Sequence, residues 1–213
     1  MSLEYVDDPL QSAPNQELNL KRTILLQATF DEIADTGFEG LRTRTIAERA
    51  MVNVATLHYY FSTKQALVEG VAQFIGEKFM ALHGPAPEPS GYPALDKLRQ
   101  EFSDGHYYLE EEPRMVLVMH EFMLRGRRDP EVQKVVDTMH SHWCDGLEQI
   151  VRQGIAEGTF RSELNPQQTV GFLFSALYGA ILPASKHIDA VQSVVEHWML
   201  SEKVLNVLEG ATA

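Results

Sequence analysis

Apolar residues along this chain recur at steps of three and four, the period of one helix face, and no stretch alternates as a half-buried strand does. From Asn19, a candidate N-cap, LKRTILLQATFDEIADTG sets Leu20, Ile24 and Ala28 four residues apart. Gly37 is placed to end that helix in a left-handed conformation. TRTIAERA is a second, short helix with Ile46, Ala47 and Ala50 on one side, and MVN is a three-residue connection. VATLHYYF is a third helix, and a fourth runs from about Gln65 to Leu82. Residues 83–93, HGPAPEPSGYP, hold four prolines and two glycines, which no helix survives.

After that break the helical step resumes with Leu95, Leu98, Phe102, His106 and Leu109. Pro113 starts a segment carrying Met115, Val118, Met119 and Phe122, and Pro130 opens a long one with Val132, Val136, Met139, Trp143, Leu147 and Ile150 on one stripe, closed by Gly158. Asn165-Pro166 reads as an N-cap with proline at the first helical position. The segment behind it is apolar on much of its circumference: Val170, Phe172, Leu173, Phe174, Leu177, Tyr178 and Ile181. A last helix runs from about Asp189 to Leu208. The expected fold is all-α with about nine helices, preceded by a disordered acidic tail at residues 1–17.

Charge sharpens this picture. The 213 residues carry 18 Lys and Arg against 30 Asp and Glu, a formal charge of −12. Residues 40–64 are an exception, with Arg42, Arg44, Arg49 and Lys64 against Glu48 alone, a local balance of +3. Apolar runs are far shorter than the ~20 residues of a membrane helix, and no basic-then-apolar leader pattern is present, so the expectation is a cytoplasmic protein without membrane contact. The single cysteine, Cys144, cannot form an internal disulfide or a Cys-based zinc site. No HExxH, glycine-rich phosphate loop or GxSxG is found, so neither an enzyme nor a cofactor is expected.

The basic island coincides with the two short helices and their three-residue connection, the pattern of a helix-turn-helix. In that motif the first helix braces, and the second offers its N-terminal side chains to base edges while hydroxyl, amide and basic groups hold phosphates. Ile46, Ala47, Ala50, Val52 and Leu57 are spaced to form the small core, and Phe61 reads as core too. Thr43, Arg44, Asn53, Val54, Ala55, Thr56, His58, Tyr59, Tyr60 and Lys64 remain as candidates for the DNA side.

These residues resemble a known family. GLRTRTIAERAMVNVATLHYYFSTKQAL is similar to the DNA-binding head of the TetR (tetracycline-repressor) regulators, and GIAEGTFR, residues 154–161, recurs at the matching place in that family. The resemblance implies a helix-turn-helix DNA-binding domain over residues 18–64. Thr43 would take a phosphate and Arg44 a base or phosphate. Asn53 would cap the recognition helix, Val54 and Ala55 would meet thymine methyls, and Thr56 a phosphate or base. Tyr59, Tyr60 and Lys64 would hold the backbone, with His58 standing where tyrosine is usual. Two positions depart from the family. Met51 occupies the turn-glycine position, where a positive φ would cost about 1 kcal/mol. Arg42 stands where Ser or Thr often caps the second helix, so that Thr43 could cap instead.

The resemblance also implies that residues 65–213 bind a small-molecule effector and form a homodimer. The broad apolar faces of the last two helices independently suit a four-helix interface across a two-fold axis. Phe102, His106, Met115, Met119, Phe122, Met123, Met139, His140 and Trp143 are candidates for a cavity wall suited to an apolar or aromatic molecule; the same residues could equally fill the core. His140 and Cys144 have a metal-compatible spacing, with His120 elsewhere in the chain, but a lone pair four apart is common by chance and no metal is expected. The expected function is a homodimeric repressor on a palindromic operator, released when the effector moves the fourth helix. The alternatives are an activator, a co-repressor-dependent regulator, or a relative acting through protein partners without DNA.

Overall fold

The computed structural model describes residues 9–181 and 187–210. Among them are ten helices: α1 (Pro9–Gly40), α2 (Thr43–Arg49), α3 (Val54–Tyr60), α4 (Lys64–Ala81), α5 (Pro93–Glu110), α6 (Pro113–Gly126), α7 (Pro130–Ala156), α8 (Pro166–Ala180), α9 (Ile188–Met199) and α10 (Glu202–Gly210). No helix among the described residues is long and apolar enough to cross a membrane. The chain divides into two compact units, Met1–Gly76 and Glu77–Ala213, with the boundary inside α4.

In the first unit α1 begins at Pro9, so the helix takes in much of the expected tail; residues 1–8 of that tail lie outside the described residues. Proline fits a helix start because its missing N–H is not needed there, and Asn19 is therefore inside the helix and not its cap. The buried stripe also differs from the expected one. Leu20 and Ile24 are exposed, and Leu25, Leu26, Thr29 and Ile33 face the core instead. Two apolar stripes compete on this helix, and packing against the later helices selects the second: Leu26 lies against Gly70, and Phe30 meets Phe74 edge to face at 6.4 Å. The hydroxyl of buried Thr29 donates to the Leu25 carbonyl at 2.7 Å, which makes its burial cheap. Gly37, at φ 66°, breaks the helical path as its position suggested.

In the second unit the core runs through Leu95, Leu98 and Phe102 of α5, Leu147 and Val151 of α7, Leu173 and Leu177 of α8, and Val195 and Met199 of α9. Asn165 caps α8, its side chain accepting from Gln168 N at 3.1 Å. The proline-rich stretch is non-helical and tied to α5: Asp104 accepts from Gly84 N at 2.8 Å, and Ser103 donates to Pro85 O at 2.7 Å.

The expected last helix is two. Leu200 adopts extended backbone (φ −66°, ψ 141°) and forms an antiparallel bridge with Phe160. Arg161 N donates to Met199 O at 2.9 Å and Ser201 N to Thr159 O at 3.0 Å. Bonds to a segment 40 residues away thus replace one helical turn, a non-local gain that period alone cannot reveal. Apart from this bridge, no strand forms among the described residues.

Candidate functional site

The helix-turn-helix closes through backbone geometry. Met51 N donates to Glu48 O at 3.1 Å and Val52 N to Ala47 O at 2.9 Å, the paired bonds of a Schellman motif ending α2. That motif needs a left-handed residue, and Met51 supplies it at φ 54°, the only positive φ outside glycine among the described residues. Its side chain is 91% exposed. At the start of α3, Asn53 Oδ1 accepts from Thr56 N at 2.7 Å and from the Thr56 hydroxyl at 3.0 Å. The cap read from sequence is therefore in place, and the Thr56 proton is directed at Asn53. Arg42 holds the N-cap position of α2 without a side-chain cap bond, its guanidinium donating instead to Glu39 O at 2.7 Å. Thr43 is the first residue inside α2 and does not cap it.

The faces of α3 are sharply divided. Leu57, and Phe61 at its end, are buried. Ala55, His58 and Tyr59 are exposed, Val54, Thr56 and Tyr60 are half-buried, and Asn53 and Lys64 flank them in the open. Tyr59 and Tyr60 meet edge to face at 5.2 Å, so each ring orients the other. Arg22 of α1 lies over the Phe61 ring at 5.5 Å, fixing the end of α3 from behind. Lys64 opens α4, whose first turn is capped by Thr63 Oγ1 accepting from Ala66 N at 3.0 Å.

The basic island is partly neutralised. Arg49 turns inward, to buried Glu32 at 3.0 Å and to Asp35 at 2.8 Å. That triad ties α2 to α1 and engages the Arg49 guanidinium, although the residue itself stays at the surface. Arg44 pairs with Glu48 at 3.0 Å, both strongly exposed, so this bond is weak and exchangeable.

In the second unit the nine effector candidates differ widely in burial. Phe102, Met115 and Phe122 are fully buried. Met119, Met123 and Met139 are half-buried, and His140 is exposed. His106 Nε2 lies 2.6 Å from Asp189, and the Trp143 indole donates to Glu101 at 2.9 Å. Burial holds the Glu101 carboxyl above its ordinary range, with the Trp143 bond opposing. Neither of two surface clefts uses these nine: one is a polar hollow on α7 at Asp137, Ser141 and Asp145, the other an apolar groove lined by Phe172 and Ala176 of α8 with Val191, Val194 and Val195 of α9. Cys144 Sγ sits 3.5 Å from His140, and no group of three metal-competent side chains exists among the described residues. The aromatic set does continue onto two residues that the pattern showed only as an apolar face. Phe174 packs edge-on against His140 at 4.3 Å and Trp143 at 5.2 Å, and Tyr178 stacks parallel to it at 5.9 Å.

A helix-turn-helix head joined through a shared helix to a separate helical unit defines a class, the one-component transcription regulator. Residues 25–71 match the family of bacterial regulatory proteins of the tetR family, and residues 120–199 match the tetracyclin repressor-like C-terminal domain. The chain is 22% identical over 172 residues to the HTH-type transcriptional regulator UidR of Escherichia coli, covering 75% of this chain and 79% of that protein. It is 22% identical over 160 residues to the HTH-type transcriptional repressor KstR2 of Mycobacterium tuberculosis, covering 74% and 78%. Its fold matches the crystal structure of a TetR transcription regulator from Haloarcula marismortui with a TM-score of 0.71 at 17% identity, covering 86% of this chain and all of that one. The chain belongs to the TetR family of transcriptional regulators. It is a regulator and not an enzyme.

Proposed function

We propose that the protein is a homodimeric repressor that reads a palindromic operator through residues 18–64 and is released when a small apolar or aromatic molecule binds within residues 65–213. The observation that carries the DNA reading is the division of α3: Leu57 and Phe61 anchor it, and the opposite side presents His58 and Tyr59 beside Lys64. Val54 and Ala55 serve thymine methyls; Thr43, Tyr59, Tyr60 and Lys64 serve phosphates; Arg44 reaches a base or phosphate by leaving Glu48. Asn53 acts through the cap, and Thr56 as an acceptor while its proton bonds Asn53. The contact of His58 is the least constrained.

Two heads are needed, because one reads only a few base pairs and a two-fold pair reads half-sites one helical turn apart. The apolar groove between α8 and α9, with Phe172 against Trp198 at 4.8 Å and Val194 in the open, supports dimerisation through these helices. Effector binding acts on α4, the helix through which the chain passes from one unit to the other. An effector achieves this only by binding one conformation more tightly than the other.

The test is selection of bound sequences from random duplex DNA, followed by titration at several salt concentrations. A palindrome with half-sites one turn apart, lost in Tyr59→Ala and weakened with a shallower salt slope in Lys64→Ala, is the expected result. A folded dimer that enriches no sequence would refute the reading.

A further inference from the structure

Of the buried side-chain nitrogen and oxygen atoms among the described residues, only His120 Nε2 has no hydrogen-bond partner. Buried polar atoms are nearly always paired, and leaving one unpaired costs more than a hydrogen bond returns. His120 lies on α6, and its ring is 5.4 Å from that of Tyr178 on α8. Tyr178 stacks on Phe174 with the planes 2° apart, and Phe174 in turn meets His140 and Trp143 of α7. Of the other polar ends in that series, the Trp143 indole donates to Glu101 at 2.9 Å, His140 Nε2 lies 3.5 Å from Cys144 Sγ, and the Tyr178 hydroxyl is not a buried atom left without a partner. An unpaired nitrogen thus ends a run of aromatic faces contributed by three helices.

The surroundings narrow what could complete it. A buried water needs two to four polar partners, and among the described residues no other buried side-chain nitrogen or oxygen is left unpaired to share one with His120. A metal ion would need a cluster of ligating side chains, and no such group occurs among the described residues. We propose that His120 Nε2 is the polar anchor of the effector site, and that the effector is a flat aromatic molecule bearing a hydroxyl. The rings of Phe174 and Tyr178 supply stacking and edge contacts for its body. A hydroxyl suits His120 in either neutral tautomer, because it accepts from an Nε2–H and donates to a bare Nε2. This assignment rests on the effector-responsive reading above and adds the anchor and the chemical class.

The experiment uses the full chain and two probes that differ by one hydroxyl, naphthalene and 2-naphthol, measured by equilibrium dialysis. The parent protein is expected to favour 2-naphthol by about tenfold, the worth of one buried hydrogen bond. In His120→Phe that preference falls to about one while naphthalene binds within twofold of the parent, and Phe174→Ala weakens both probes. His120→Leu serves the same purpose if the Phe variant does not fold, and His120→Gln, which keeps a polar end, retains part of the preference. Equal binding of the two probes by the parent, or a preference that survives in both apolar variants, overturns the anchor and leaves the effector reading standing. Binding unchanged by Phe174→Ala places the probes elsewhere and overturns the site. Failure of both probes to bind overturns the chemical class together with the aromatic-effector reading.

Discussion

Met51→Gly is expected to stabilise the protein. Met51 sits at φ 54° in the Schellman turn that ends α2, with both motif hydrogen bonds formed. For an L-residue that backbone region costs roughly 1–2 kcal/mol, and glycine enters it freely. Against this stands the extra conformational entropy that glycine loses on folding, about 0.5–1 kcal/mol. A side chain 91% exposed forfeits almost no burial when removed. The net gain is about 0.5–1 kcal/mol, which for a chain of this size raises the melting temperature by roughly 1–4 °C. Met51→Ala is the control, because its Cβ retains the steric conflict and it should gain nothing. Urea and thermal unfolding of parent and both variants decide the matter. A Gly variant less stable than the parent, or an Ala variant that gains as much, refutes the strain argument and points to a role for the methionine side chain itself.

Asn53→Ala removes the acceptor for two donors at the start of a seven-residue helix and should cost about 1 kcal/mol in chemical unfolding, with Asn53→Ser recovering most of it. Gly154→Ala would drive a methyl into the Phe160 ring beside the bridge to Leu200, and a loss of about 2–3 kcal/mol in the same assay is expected. The His83 ring faces the Asp104 carboxylate through Nδ1 at 3.0 Å and the Met80 carbonyl through Nε2 at 3.1 Å, so both nitrogens carry protons in this geometry. The Asp104 bond, with partial burial opposing, holds its pKa above the ordinary 6.5. Its stabilising contribution is full below that ordinary value and is lost as pH rises through the folded one; a proton NMR titration should show the elevated midpoint, and Asp104→Asn should lower it.

The fold was legible wherever the determining interactions are local. The two short helices, their connection, the Asn53 cap, the Gly37 break and the Asn165-Pro166 start lie within a few residues of what specifies them. Two features escaped because distant segments decide them. Which stripe of α1 is buried depends on what packs there: Leu20 and Ile24 have as good a period as Leu26 and Ile33. The separation of α9 from α10 depends on Thr159, Phe160 and Arg161, some 40 residues upstream. The candidate interface was legible as a set of residue types but not as a set of engaged groups, since Asn53, Thr56 and Arg44 all have partners within the head. The effector region was least legible. Its candidates come from α5, α6 and α7, the rings of Phe174 and Tyr178 reach them from α8, and the unpaired state of His120 is a property of the packed structure alone.

The engagement of these cations has a consequence for affinity. Of the four basic residues in the island, Arg49 is held by Glu32 and Asp35, and Arg42 is turned to backbone carbonyls. All four are exposed, but Arg44, held only by an exposed carboxylate, and Lys64 are its most available charges, and Glu48 competes with phosphate for Arg44. Under the proposed DNA reading, Glu48→Gln removes that competitor and one repulsive charge at once. Because the pair is exposed, its own contribution to stability is small, and unfolding of the variant should match the parent. Operator affinity should rise about two- to fivefold per head at low salt, and the gain should shrink as salt screens it. Arg44→Ala should abolish the effect of Glu48→Gln, since the benefit passes through the freed guanidinium. A gain that persists without Arg44 would show that bulk repulsion, and not competition for one arginine, limits binding; no gain in either background would mean that neither the freed Arg44 guanidinium nor the Glu48 charge bears on DNA affinity.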